Sequence, residues 1–173
     1  MEPSTLVPDY SAAIAGARAW RLAPTLWARM GGILWSHAML NPWPDGEELV
    51  AVCDAGHPAP APACSCGVYA WESAELLQRG SYAVRDYQHI AGVVAGAGRV
   101  IRGYAGYWVA ERAVVLAFFE DDYPAPVKEV LSGSGVYLPT KKDAAETSRV
   151  PVIRYSEFNG FCDEYGLVRH EGR

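Results

Sequence analysis

Four side chains of this sequence combine metal-binding chemistry with close spacing. Cys53, His57, Cys64 and Cys66 follow the pattern C-x3-H-x6-C-x-C. Thiolate sulfur and imidazole nitrogen are the donors that tetrahedral zinc takes, and a Cys3His set fills all four of its positions. Along an extended Cys64-Ser65-Cys66 segment side chains alternate, so both sulfurs are expected on one side. Gly67, directly after them, would let the backbone approach an ion closely. Between the ligand pairs runs His57-Pro58-Ala59-Pro60-Ala61-Pro62, with proline at every second position. Each ring fixes φ and disfavours helix in the residue before it. A stiff, extended, polyproline-like connector is therefore expected, holding the two halves of the site apart. His37 is an alternative fourth ligand, and Asp54 an outer partner if it is not simply solvated.

Two other uses of these sulfurs stay open. Cysteine is a small hydrophobe that is often buried. Against that, three of the four cysteines crowd beside a histidine in a proline-rich stretch, a poor place for core residues. Alternatively, Cys64 and Cys66 form a redox dithiol. Without a nearby helix N-terminus or basic residue, nothing obvious depresses either thiol. A metal held by four protein donors leaves no open position for an activated water, so the set points away from hydrolysis.

No second catalytic constellation stands out. Gly96-Ala97-Gly98 lacks the Lys-Ser/Thr pair of a phosphate loop. Ser132-Gly133-Ser134-Gly135 does not directly follow a strand, as a nucleophile elbow must. Glu120-Asp121-Asp122 reads as a solvated strand end.

The elements that must position these groups belong to a chain of 173 residues, half of them hydrophobic and a fifth charged. That is the balance of a globular protein with its own core, read as one domain over 1–173 with a sub-lobe boundary near 80–87. A net charge of −5 argues against a broad nucleic-acid footprint. No run of eighteen apolar residues suggests a membrane span, and the first residues lack the pattern of a secretory signal. A cytoplasmic location with reduced cysteines is the expectation.

The pattern predicts an α+β fold, with antiparallel strands in the first and middle parts and short helices mostly near the C-terminus. In residues 13–23, Ile14, Trp20 and Leu22 share one strand face. Gly31-Gly32 reads as a turn, residues 41–46 as a break, and residues 48–53 as a strand. Ser73 is placed to cap a short helix over 73–79. Residues 87–119 read as a long glycine-punctuated β region with bulges and close crossings, ending in the apolar run 114–119. Helices are predicted over 126–131, 140–146 and 156–165, the last capped by Ser156, and a strand over 136–138. Cys162 is expected to be buried in the last helix.

Six tryptophans are expected mainly in the core, each indole N–H with a partner. Trp43, between prolines, is the one expected at the surface. It joins Tyr104, Tyr107 and Trp108 as the candidate binding residues. Arg99 and Arg102 beside Tyr104 and Trp108 form an alternative single-stranded nucleic-acid platform, disfavoured by the acidic net charge.

The segment 51–70, AVCDAGHPAPAPACSCGVYA, resembles a family of small uncharacterised proteins from actinobacteria and their phages that carry H-x-A-P…C-x-C-G-[IV]-Y-A. Ala19-Trp20-Arg21 and residues 92–112 look similar as well, and an excess of arginine over lysine suits a GC-rich source. The resemblance brings no activity with it; it implies that the Cys/His segment is a family trait. The expectation is a non-enzymatic, zinc-stabilised module whose partner is another protein.

Overall fold

Runs of alanine, valine and isoleucine, which pack well on a pleated surface, build three long strands in this chain. The computed structural model describes residues 6–22, 34–36, 42–44, 46–79, 89–120 and 141–169. Its strands are β1 (Leu6–Leu22), β2 (Leu34–Ser36), β3 (Pro42–Trp43), β4 (Leu49–Val50), β5 (Val68–Trp71), β6 (His89–Gly103), β7 (Tyr107–Phe119) and β8 (Val152–Ile153). Its helices are α1 (Ala74–Arg79), α2 (Lys141–Ser148) and α3 (Phe158–Glu164), the last preceded by a 3-10 turn at Tyr155–Glu157. The class is α+β, as expected. The predicted turn at Gly31-Gly32, the helix over 126–131, the strand over 136–138, the boundary at 80–87 and His37 lie outside the described residues.

Pairing among these strands returns to its start. β1 pairs with β6, β6 with β7, β7 with β5, and β5 with β1 through Ala17 and Trp71. All four pairings are antiparallel. β8 adds in parallel at the far end of β7, and Val168 bridges to Ile14. The ladder of β6 with β7 shifts register twice. Leu116 is the extra residue on β7, opposite Val93 and Val94; between Ala97 and Val100 the extra residue is on β6, around Gly98, the one bulge that its glycines foretold.

Alternation along the strands then separates two cores. Ile14, Trp20, Leu22, Val94, Val100 and Trp108 gather on one face. Ala15, Ala17, Ala19, Ala91 and Val93 lie on the other, where Leu77 of α1 and Phe158, Phe161 and Cys162 of α3 cover them. Small residues on the second face let the short helices approach closely.

Trp108 organises the first core. Its indole N–H donates to the Ala15 carbonyl at 2.9 Å. Its ring lies over Gly16 and Gly96, where an added Cβ would stand 2.6 Å from ring atoms. The glycines of the β-rich region are thus partly explained by one tryptophan.

Several sequence expectations need correction. Pro42 and Trp43 are not a break but a short strand paired with Leu34 and Trp35. An outermost strand tolerates proline because one side of it needs no donor. That pairing turns Trp43 inward, so it is fully buried rather than exposed, edge-on to Trp20 at 5.5 Å. The guanidinium of Arg18 sits 5.1 Å from the Trp43 ring and donates to Ser36 Oγ at 3.1 Å. Trp108 indole nitrogen has its acceptor, but the indole nitrogens of Trp20 and Trp43 have none among the described residues.

The strand expected over 48–53 is only Leu49–Val50; after the Ala51 N–H donates to the Glu111 carbonyl the chain leaves the sheet. Ser73 caps α1 as expected, its Oγ accepting from the Leu76 N–H at 3.2 Å. Ser156 does not cap the last helical segment; Glu157 does the work in reverse, accepting from the Arg154 N–H at 2.7 Å. Among the described residues, no helix is long and apolar enough to cross a membrane.

Candidate metal centre

All four Cys/His side chains lie on the loop from β4 to β5, residues 51–67. Both flanking strands pair with β7, β4 at Arg112 and Ala113 and β5 at Tyr107 to Ala110. The loop therefore leaves one strand of the sheet and returns to the same neighbour. A connection this long without regular structure is uncommon in a compact fold and usually carries function.

Turns, not an extended rod, fold it. The Gly56 N–H donates to the Cys53 carbonyl at 2.9 Å, and the Cys64 N–H to the Ala61 carbonyl at 3.0 Å. The polyproline expectation is thus overturned: two turns close the loop, and Ala59 and Pro60 are buried rather than extended into solvent. Pro60 acts as an apolar anchor that pins the loop to the sheet. Gly67 serves this anchoring rather than an ion. Its φ is +123°, and a Cβ there would meet Val109 Cγ1 at 2.3 Å and Pro60 Cβ at 3.1 Å.

The four ligand atoms converge. One donor from each of Cys53, His57, Cys64 and Cys66 lies within 4.8 Å of the others. Cys53 Sγ is 3.3 Å from His57 Nε2 and 3.8 Å from Cys64 Sγ. A tetrahedral ion with bonds of ~2.3 Å to sulfur spaces its sulfurs by ~3.8 Å. Cys66 Sγ lies 3.9 Å from His57 Nδ1. All four residues are half-buried. The donor set and its spacing fit a metal ion.

Hydrogen bonds around the site favour ligand chemistry. His57 Nδ1 lies 3.2 Å from the Pro58 carbonyl, which accepts its proton and leaves Nε2 with a free lone pair on the side of Cys53. The same carbonyl accepts from Arg99 Nη1 at 3.4 Å, tying the histidine turn to β6. The bond to Pro58 is the first cause holding His57 above its usual pKa. The backbone N–H of Cys66 donates to Cys64 sulfur. With the neighbouring side chains of Cys66, Cys53 and His57 it pulls the Cys64 thiol down to about 7. Burial pushes the Cys66 thiol up. The expectation that nothing depresses either thiol is corrected here: the cause is a local N–H···S contact set by the turn.

A small cavity of about 70 Å³ adjoins the sulfurs, walled by Pro60, Cys64, Cys66, Tyr69, Arg102 and Tyr107. Tyr69 and Tyr107 rings are 5.9 Å apart, and Trp71 meets Tyr107 edge-on at 6.3 Å. Glu72, which sequence reasoning passed over, is buried and accepts from Arg102 Nε at 2.7 Å. Its signal in the sequence was faint: one acid directly after an aromatic strand.

The candidate binding residues part company. Tyr104 is 70% exposed and Tyr107 is half-buried, whereas Trp43 and Trp108 are fully enclosed. With Trp108 inside the sheet and Arg102 held by Glu72, neither is presented for base stacking or phosphate contact. Cys162 is buried in α3, as expected, and burial pushes its thiol up to about 11.

Neither a family model, a curated protein nor a solved structure matches this chain.

Proposed function

We propose that this protein is a non-enzymatic interaction module whose 51–67 loop is stabilised by one zinc ion held by Cys53, His57, Cys64 and Cys66. The convergence of three sulfurs and one imidazole within 4.8 Å carries the reading. Zinc is the metal that this donor set favours, since it accepts thiolate and imidazole together in tetrahedral geometry. Four protein donors close its coordination, so the ion acts as a staple and activates no water. The partner is another protein; the exposed apolar groups available to meet it are Val52 on the loop, 84% exposed, and Tyr104 on the separate turn between β6 and β7, 70% exposed. The site belongs in a reducing compartment such as the cytoplasm, where thiols persist. The resemblance of segment 51–70 and the arginine-rich composition favour an actinobacterial or phage source.

Metal analysis of the reduced, purified protein tests this. About one zinc per chain is expected, retained through gel filtration and seen as an intact complex by native mass spectrometry. A folded protein that takes up no zinc, with its three loop thiols free, rejects it.

A further inference from the structure

We infer that Cys53 and Cys64 form a peroxide-sensitive release switch within the metal site: oxidation joins these two sulfurs and removes two of the four ligands at once. This rests on the zinc reading above.

The geometry favours this pair, although Cys66 Sγ also lies within 4.8 Å of Cys53 Sγ. Cys53 Sγ and Cys64 Sγ are already 3.8 Å apart. A disulfide requires ~2.05 Å between sulfurs, so they need only close on one another. The turns 53–56 and 61–64, each closed by a backbone hydrogen bond, hold the two cysteines on facing sides of the loop. Access is open: Val52, Asp54, Ala55, Gly56, Pro62 and Ala63 beside them are exposed. A bond between Cys64 and Cys66 would close a ring across a single intervening residue, a tight geometry for a disulfide. Cys162 lies buried in the second core among Phe158 and Phe161 and does not compete.

The step balances with a hydroperoxide as oxidant. One thiolate attacks a peroxide oxygen; the S–O bond forms, the O–O bond breaks, and hydroxide leaves. The second thiolate attacks the sulfenic sulfur; the S–S bond forms, the S–O bond breaks, and a second hydroxide leaves. Two electrons pass from the sulfurs to the peroxide, which is reduced to water once the hydroxides take up protons. His57 and Cys66 remain, two donors where a structural zinc site needs four. A dithiol reductant reverses the change.

The test uses the zinc-loaded full chain, with loading first verified by native mass spectrometry. Hydrogen peroxide is then added in increments, released zinc is read with a chromogenic chelator, and sulfur links are mapped after differential alkylation. Cleavage before Asp54 separates Cys53 from the other two loop cysteines, so any link from Cys53 appears as two joined peptides, and fragmentation that finds the alkyl label on Cys66 assigns the link to Cys64. The expected result is release of about one zinc per chain, in step with a Cys53–Cys64 link, both reversed by dithiothreitol and fresh zinc. Zinc retained under peroxide, or released with Cys64–Cys66 or Cys53–Cys66 links or with sulfinic acids alone, overturns the switch and leaves the zinc reading standing. A chain that never loads zinc overturns the zinc reading, and the switch with it. Metal-free Cys66→Ser protein gives a second readout: the same 53–64 link must form there on peroxide treatment, and its absence also overturns the switch.

Discussion

His57 Nε2 lies 3.3 Å from the sulfur of Cys53, while the other ring nitrogen faces the carbonyl of Pro58 at 3.2 Å. The imidazole is thereby oriented before any ion arrives. A chain carbonyl fixes the tautomer, and the turn that starts at Cys53 fixes the distance.

If four donors hold one ion, then His57→Ala and Cys66→Ser lower zinc affinity at least tenfold and reduce the bound metal well below one per chain. Chelation of the wild type with EDTA should lower Tm. At a free zinc concentration of ~100 Kd the bound ion contributes about 2.7 kcal/mol, or roughly 5–10 °C for a domain of this size. Differential scanning calorimetry with and without chelator measures it, and the His57→Ala protein should show at most about half that difference at the same free zinc.

Acid acts on the same imidazole. Zinc needs neutral His57, and the Pro58 hydrogen bond holds its pKa above 6.5. Protons therefore compete for it from a higher pH than for a free histidine, and zinc affinity should already decline above pH 6.5. In the metal-free protein the sign reverses. A raised histidine pKa contributes stability that is fully present below 6.5 and is lost as pH rises through the folded value. Zinc competition titrations and urea unfolding of the apo-protein, each run from pH 5 to pH 8, read the two slopes separately.

Thiol reactivity should divide the cysteines. With Cys64 lowered to about 7 and Cys162 raised to about 11, iodoacetamide at pH 7.5 is expected to label Cys64 fastest in metal-free protein and to spare Cys162 until denaturant is added. For Cys64 the linkage runs the other way from His57. Its depressed folded pKa contributes stability present above about 9 and lost as pH falls through about 7. Mass spectrometry of timed alkylations gives the order, and zinc should slow the loop sulfurs without affecting Cys162.

Trp108 predicts a steric result. Gly96→Ala places a methyl 2.6 Å from its ring, and Gly16→Ala does the same from the opposite strand. Each should cost about 1–3 kcal/mol by overpacking. Trp108→Phe should cost a comparable amount, because it leaves the buried Ala15 carbonyl without its donor and part of the ring volume empty. Denaturant unfolding followed by circular dichroism measures all three.

Glu72→Gln is expected to destabilise by about 1–3 kcal/mol, since it removes the charge that faces Arg102 in a mostly buried pair. Zinc stoichiometry should not change. Loss of metal in this variant would mean that the Arg102 wall of the adjoining cavity also supports the loop.

Much of the site was legible because its chemistry sits on adjacent residues. Cys53, His57, Cys64 and Cys66 fall within one loop, so spacing alone was enough to propose their convergence. The alternating face of Ile14, Trp20 and Leu22 was equally plain, since period two is local. What escaped depended on contacts distant in sequence. Trp43 looked like a surface residue between prolines until its register with Leu34 turned it inward. Alternate prolines implied an extended rod, but burial of Pro60 against the sheet outweighed that local preference. The depressed Cys64 thiol came from a backbone N–H two residues away, aimed by the turn and invisible to composition.

Pro42 has one further consequence. It stands solvent-exposed in β3, the outermost strand on its side of the described sheet. With no N–H to offer there, it denies an incoming chain one rung of a ladder. Concentrated solutions should therefore resist growth by strand addition along this margin. Pro42→Val is the change that would make the molecule a better template for its own kind.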